Sequence, residues 1–216
     1  TLQGADLLEV DMPLLTARLQ RSARVHGARF RGGVTLERAD RGAGVVAHTS
    51  EGPVRARVIV DASGMTGAHL LDQPRVDPSD ICVASQQTHA VTDMGAALRW
   101  FSDRRVAQGE VLCHTGIAGG YSIVNVRLHA HDPDQVSILT GSIPGAGHPS
   151  GVALMRAFLA DHPWIGPKVS GGSRAIPLCA PLAAVGSGPV AAIGDAARQV
   201  FSAHGSGIGP QLRAAP

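Results

Sequence analysis

The sequence predicts a mixed α/β (α+β) fold, and three features carry that prediction. Residues 11–27 have the apolar spacing of a helix. Two short apolar runs, residues 58–60 and 190–193, each end in a turn of small residues, which is typical of buried strands in an α/β sheet. Between those runs, residues 71–182 contain short strand-like segments separated by turn signals.

The first element is predicted to be an amphipathic helix. Asp11 is a suitable N-cap, and Pro13 falls in the first turn, where its missing N–H is tolerated. Apolar residues recur at helical spacing from Leu15 to Ala23, and Gly27 is well placed as the C-terminal stop. Short strands are predicted after it, at residues 28–30, 34–37, 44–49 and 54–60.

Residues 71–182 are predicted to form a mostly antiparallel sheet with one helix. The strand-like runs are residues 81–91, 97–101, 109–113, 120–128 and 136–142. The spacing of Val152, Met155 and Leu159 predicts the helix, which should end before residues 161–163.

Composition is that of a globular protein and excludes several function classes. Hydrophobic residues make up 44% of the 216 residues and charged residues 17%, which is far from a disordered chain. A net charge of +2 and an aromatic content of 3% argue against nucleic-acid binding. The three cysteines lack metal-ligand spacing, so we predict neither a disulfide framework nor a zinc site, and a cytoplasmic location is expected.

Two further absences are predicted. The uncharged run at residues 175–194 is interrupted by prolines and glycines, so we predict no transmembrane segment. His129 and His131 lack a third ligand at suitable spacing, so no metal site is predicted there. The chain opens without an initiator Met and stops soon after Gly209, as an internal piece of a longer protein would.

The most informative stretch follows the run at residues 190–193. Gly194, Asp195 and Ala196 end that run, and Gly205, Gly207 and Gly209 then occupy alternate positions. Ligands of open α/β sheets bind beyond the carboxyl ends of strands, and a glycine-lined helix start lets backbone N–H groups approach a ligand closely. The pattern predicts a binding site, although Asp195 could also be an ordinary turn aspartate. The run at residues 58–60 ends similarly, in Asp61-Ala62-Ser63-Gly64.

These motifs resemble those of FAD-dependent oxidoreductases of the geranylgeranyl reductase and aromatic hydroxylase (monooxygenase) superfamily. In that family a Gly-Asp-Ala sequence ends a strand, its Asp binds the ribityl chain of FAD, and a later Gly-x-Gly starts a helix facing the flavin. The matching cofactor-binding residues are Gly194, Asp195, Ala196, Gly205, Ser206, Gly207, Ile208 and Gly209. Ala62, Ser63 and Gly64 match the turn that approaches the cofactor from a neighbouring strand.

The resemblance implies a partial FAD/NAD(P)-binding Rossmann-like domain with an inserted, mostly antiparallel β-sheet substrate domain. Residues 1–70 and 183–216 would belong to the FAD-binding domain, and residues 71–182 to the substrate domain. The chain contains no Gly-x-Gly-x-x-Gly sequence, so the dinucleotide-binding segment is expected upstream, in the same or another chain. Ser202 replaces the usual family proline, and Ser63 replaces the Asp of many hydroxylases, as in related flavoenzymes that include halogenases.

The implied activity is that of an FAD-dependent oxidoreductase, with NAD(P)H as a candidate electron donor and an apolar small molecule as substrate. Tyr121 matches an aromatic strand motif that lines the family's site, and His204 lies beside the expected flavin edge, so both are candidate substrate contacts. Tyr121 could equally be a core residue, and His204 an ordinary loop histidine. Ile123, Asn125 and Val126 replace other members of that motif, so isoprenoid specificity is not implied.

No catalytic residue is predicted, and two alternative functions stay open. One is a flavin-dependent halogenase, which would use the same flavin-binding residues. The other is a non-catalytic remnant, or one half of a split flavoprotein that cannot bind FAD alone, because the dinucleotide fingerprint is missing.

Overall fold

The computed structural model describes residues 11–132 and 134–200, together with Gly207 and Gly209. It has a mixed α/β fold with antiparallel sheets, which confirms the predicted class. Within the described residues, no helix is both long and apolar enough to cross a membrane. The division into the three predicted segments stays a prediction.

Helix α1 (Met12–Val25) confirms the first predicted element. The carboxylate of Asp11 accepts a hydrogen bond from the N–H of Leu14 at 2.8 Å, and Gly27 follows the helix with a φ of +89°. The predicted amphipathic face is left uncovered, because no residue of α1 is buried by the part of the chain described here.

A three-stranded meander of β1 (Leu36–Arg41), β2 (Val45–Thr49) and β3 (Gly52–Ala56) follows helix α1. The predicted strand at residues 28–30 is wrong, and the strand predicted at 34–37 starts and ends later. The run predicted as one strand at residues 54–60 is two strands, β3 and β4 (Ile59–Asp61), since the chain leaves the meander at residues 57–58.

The largest sheet is antiparallel and has the strand order β6-β7-β8-β5-β9. Its strands are β5 (Ile81–Val91), β6 (Leu112–Thr115), β7 (Ser122–Leu128), β8 (Gln135–Ser142) and β9 (Ile165–Pro177). Helices α2 (Met94–Ser102) and α3 (Gly151–Asp161) supply core residues. Alternate residues of β7 and β8, such as Val126 and Ile138, pack with Phe101 and Met155 in that core. The other face of the sheet therefore points away from the helices.

The sequence predicts one helix in residues 71–182, and that is wrong because the run 97–101 is helical. Asp93 caps helix α2 by accepting a hydrogen bond from the N–H of Ala96 at 2.8 Å. Ala97 and Phe101, one turn apart, are both buried, so four-residue spacing prevails over the strand-like composition. The predicted helix at 152–159 is confirmed as α3.

A third sheet has the order β10-β11-β4, with β10 (Gly186–Ser187) antiparallel to β11 (Val190–Ala192). Strands β11 and β4 are parallel, with Val190 opposite Ile59 and Ala192 opposite Asp61. Beneath this pair lies a separate core cluster formed by Val45, Leu71, Val190, Ala192, Ala196 and Ala197. This parallel pair positions the candidate site.

Candidate functional site at the ends of two parallel strands

The structure brings together two motifs that are far apart in the sequence. Because β4 and β11 are parallel and in register, the turns that follow Asp61 and Ala192 both begin at the carboxyl ends of these two strands. The N–H of Ile193 donates a hydrogen bond to the carbonyl oxygen of Asp61 at 2.9 Å, which extends the pairing by one residue. Residues 62–64 and 194–196 therefore begin at the same end of the strand pair.

Asp195 lies in a single 3-10 turn, Gly194–Ala197, directly after β11. Gly194 begins the turn with a φ of +65°, a conformation that favours glycine, and Ala196 and Ala197 are buried in the core cluster beneath it. The Asp195 side chain is partly buried, and burial raises the pKa of its carboxyl group. Among the described residues, no hydrogen bond or ion pair reaches this carboxylate. The turn thus presents an acceptor without a donor.

Two glutamines that the sequence interpretation missed hold this turn in place. Gln199 makes two hydrogen bonds to the backbone of Gly194. Its side-chain oxygen accepts from the Gly194 N–H at 3.0 Å, and its backbone N–H donates to the Gly194 carbonyl oxygen at 2.9 Å. Gln73 donates to the Ala196 oxygen at 3.3 Å. No spacing rule distinguishes these glutamines from other loop glutamines, because their partners are backbone groups.

The second turn is organised by Asp61, whose side chain is buried with 4% exposure. One carboxylate oxygen accepts from the N–H of Ser63 at 3.0 Å and from its hydroxyl at 2.5 Å, while the other accepts from the N–H of Leu70 at 3.0 Å. Burial raises the pKa of Asp61, but the hydrogen bonds from Ser63 and Leu70 outweigh it and hold that pKa below its usual value.

Of the residues predicted in this second turn, Ser63 and Gly64 differ in what they can offer a ligand. The hydroxyl of Ser63 also accepts from the N–H of Ala68 at 2.7 Å, so its N–H and hydroxyl are both engaged inside the loop. A contact from either group to a ligand would have to break one of these bonds. Gly64 has a φ of +83°, and among the described residues no neighbouring atom lies within 4 Å of where its Cβ would stand. The described part of the chain leaves the space beside Gly64 open.

Four of the predicted site residues lie outside the described residues: His204, Gly205, Ser206 and Ile208. Gly207 is partly exposed, and Gly209 is exposed. Their placement relative to Asp195 therefore stays a prediction.

Tyr121 precedes β7 at one end of the large sheet and is partly buried. Burial raises the pKa of Tyr121, and the nearby Cys82 adds to that rise. A Cβ on Gly141 would lie 3.3 Å from the Cys82 sulfur and 3.6 Å from Ile123, so these side chains meet over Gly141 on the face away from the helices. We call Tyr121, Cys82, Ile123 and Gly141 the apolar sheet patch.

The sequence matches no protein-family model, and no curated protein resembles it significantly. Solved structures do share its fold. A geranylgeranyl bacteriochlorophyll reductase-like protein from Thermoplasma acidophilum superposes with a TM-score of 0.74 at 16% identity, over 97% of this chain and 54% of that one. This chain has the fold of that part of the protein. The predicted resemblance is therefore confirmed as a likeness of fold.

Two other solved structures extend the comparison. A salicylate hydroxylase bound to substrate gives a TM-score of 0.57 at 15% identity, over 90% of this chain and 53% of that one. BrvH, a flavin-dependent halogenase from Brevundimonas sp. BAL3, gives a TM-score of 0.59 at 15% identity, over 94% of this chain and 40% of that one. The chain spans about half the length, or less, of these solved structures.

Proposed function

We propose that this chain is part of an FAD-dependent oxidoreductase that acts on an apolar small molecule by reductase or monooxygenase chemistry. The observation that carries the proposal is the register of β4 and β11, which puts residues 62–64 and 194–196 together at the carboxyl ends of these strands. These are the two motifs that the sequence resemblance assigns to FAD. Two unrelated loop motifs would not be expected to follow adjacent, parallel strands at the same end.

The chemistry of Asp195 fits the ribityl chain of a flavin. A partly buried carboxylate to which none of the described residues donates a hydrogen bond is unfavourable, and burial raises its pKa. Hydroxyl groups of a ribityl chain are donors that would satisfy it. The open space beside Gly64 leaves room for a ligand to approach the backbone from the other turn.

FAD, once bound, would supply the hydride or oxygen chemistry. Asp195 would hold the ribityl chain, and the amides of residues 205–209 would stabilise negative charge at the N1–C2 carbonyl edge. Ala62 and Gly64 would contact the cofactor through the backbone. NAD(P)H is the electron donor that we propose.

The apolar sheet patch is the proposed substrate wall, with Tyr121 as its aromatic member and His204 as a second substrate contact. Tyr121 and Ile123 are its partly exposed members, while Cys82 is a buried member at 3% exposure, and burial raises the pKa of its thiol. An uncharged wall of this kind favours an apolar substrate.

A dinucleotide-binding segment, in the same or another chain, would complete the protein. Two uncovered apolar surfaces support this: Val58 and Val60 beside and within β4 are 59% and 52% exposed, and α1 exposes Leu14 and Leu19. Strand β4 also lies at the edge of its sheet as far as the structure describes it. A further strand and helix would cover both surfaces.

The proposal is tested by purifying the full-length protein and recording its visible spectrum after addition of FAD and gel filtration. The expected result is close to one equivalent of bound flavin, with an absorbance band at about 450 nm. Protein that stays colourless under all these conditions would contradict it. The same experiment on residues 1–216 alone tests the split-flavoprotein alternative, which predicts that this piece stays colourless.

A flavin-dependent halogenase is the second candidate, and the fold shared with BrvH favours it. Turnover with and without oxygen and halide separates the candidates. Reductase chemistry needs neither, monooxygenase chemistry needs oxygen, and halogenation needs both.

A further inference from the structure

Asp61 makes contacts to both candidate cofactor-binding turns at once. Its carbonyl oxygen accepts from the N–H of Ile193, which immediately precedes the turn that carries Asp195. Its carboxylate accepts from Ser63 and from Leu70, at the two ends of the loop of residues 62–70. No other described side chain makes hydrogen bonds to both ends of this loop.

The loop that Asp61 closes is tightly built around Ser63. A Cβ at Gly67 would lie 1.9 Å from the Ser63 hydroxyl oxygen and 2.6 Å from the Ser63 carbonyl oxygen. The Ser63 hydroxyl donates one hydrogen bond to the Asp61 carboxylate and accepts another from the N–H of Ala68. The direction of the Ala62–Gly64 backbone therefore depends on where the Asp61 carboxylate stands.

The far end of the same loop contacts the other turn. Leu71, which follows the Leu70 amide held by Asp61, is 5% exposed and belongs to the core cluster that contains Ala196 and Ala197. Those two alanines flank the turn residue Asp195 on its C-terminal side. A displacement of Leu70 would thus be transmitted by packing to the segment that carries Asp195.

From these contacts we propose that Asp61 is a positioning residue that fixes both cofactor-binding turns relative to each other. This inference rests on the proposed function. Asp61 acts through the backbone of its neighbours, because its oxygens are already occupied by the loop and its side chain is buried. The ionised carboxylate is required, since it offers acceptors on both oxygens.

The variant Asp61→Asn tests this with almost no change in shape. An amide has only one oxygen, so its NH₂ group must face the N–H of either Ser63 or Leu70, and one of these donors loses its acceptor. Hydrogen bonds to charged groups contribute about 1.5–3 kcal/mol, which corresponds to roughly a tenfold to hundredfold loss of cofactor affinity if both turns must be placed for binding.

Asp77→Asn is the matched control. Asp77 forms the same local turn, because its carboxylate accepts from the N–H of Ser79 at 2.8 Å and from the Ser79 hydroxyl at 2.6 Å. Asp77 is exposed and caps the 3-10 turn Pro78–Asp80, away from the ends of β4 and β11 that carry the two candidate turns. The control thereby separates the effect of removing any turn carboxylate from the specific effect of removing the Asp61 carboxylate.

In the full-length protein we would measure FAD affinity, the visible circular dichroism of bound flavin, and amide hydrogen exchange of the cofactor-free form. Asp61→Asn should weaken FAD binding about tenfold or more. It should also alter the flavin dichroism and accelerate exchange in residues 62–70 and 193–197, with β7 and β8 unaffected. Asp77→Asn should leave all three unchanged.

Three results would overturn the proposal: wild-type affinity in Asp61→Asn, faster exchange confined to residues 62–70, or equal effects of the two variants. Absence of FAD binding by the wild-type protein would instead contradict the proposed function. Hydrogen exchange would then still decide whether Asp61 holds the two turns together, because that measurement needs no cofactor.

Discussion

The carbonyl oxygen of Asp61 accepts a hydrogen bond from the N–H of Ile193 at 2.9 Å. This bond follows directly on the parallel register of β4 and β11 and joins the starts of two turns that lie far apart in the sequence. Both turns therefore begin at the same end of the strand pair, where ligands of open α/β sheets bind.

Gly67→Ala should destabilise the protein by about 1–3 kcal/mol, because the added methyl group overlaps the side chain and backbone of Ser63. Gly32→Ala is the control, since no other described residue lies within 4 Å of its Cβ direction and its φ is not in the left-handed region. Urea unfolding monitored by circular dichroism measures both. A Gly67→Ala variant as stable as Gly32→Ala would mean that the loop is not packed as described.

The stability contributed by Asp61 should depend on pH. Its folded pKa lies below the ordinary value of 3.8, so its stabilising effect is present above that value and is lost as the pH falls through the folded pKa. Asp61→Asn should therefore be less stable than wild type by about 2 kcal/mol near neutral pH. The difference should shrink in acid. A difference independent of pH between neutrality and strong acid would show that the charge contributes nothing.

Asp195 should show the opposite pH dependence. Burial raises its folded pKa above the ordinary value of 3.8, so the protonated form stabilises the fold, and that stability is lost as the pH rises through the folded pKa. Asp195→Asn should therefore make the cofactor-free protein slightly more stable at neutral pH, with the difference disappearing well below the ordinary value. Thermal melts of the cofactor-free protein over a pH series provide the check, and a destabilised variant at neutral pH would mean that Asp195 has a structural partner.

Phe101→Ala should destabilise the protein by about 3–5 kcal/mol, since Phe101 is 3% exposed and packs in the core of the large sheet. Leu98→Ala in the same helix should change stability by less than about 1 kcal/mol, because Leu98 is 49% exposed. Equilibrium unfolding of both variants is the measurement. Equal losses would contradict the helical placement of residues 97–101.

The sequence predicted the strand-end turns because their chemistry is local: an apolar run stops at Gly194 or Asp61, and small residues follow. The family resemblance implied that the two runs lie on neighbouring strands, but their parallel register could not be predicted from the runs themselves, because a register between distant strands depends on tertiary packing. Helix α2 was mistaken for a strand since a short apolar run has no decisive period. Strand β9 was missed because its glycine-, serine- and lysine-containing sequence has low β-propensity and pairs with β5 through the backbone.

The residues that organise the site were harder to predict than the residues expected to contact a ligand. Asp61 was noted only as part of a motif, and Gln199 not at all. Both act on backbone N–H groups, which every residue carries, so composition gives no signal for them.

The most direct test is FAD binding by the full-length protein and its Asp195→Ala variant, measured by equilibrium titration, with Asp77→Asn as a control exposed carboxylate. We expect the wild-type and control proteins to bind one equivalent of FAD and Asp195→Ala to lose most of it, because no described side chain could replace the carboxylate at the end of β11. Undiminished flavin binding by Asp195→Ala would contradict the assignment of this strand edge as the flavin site.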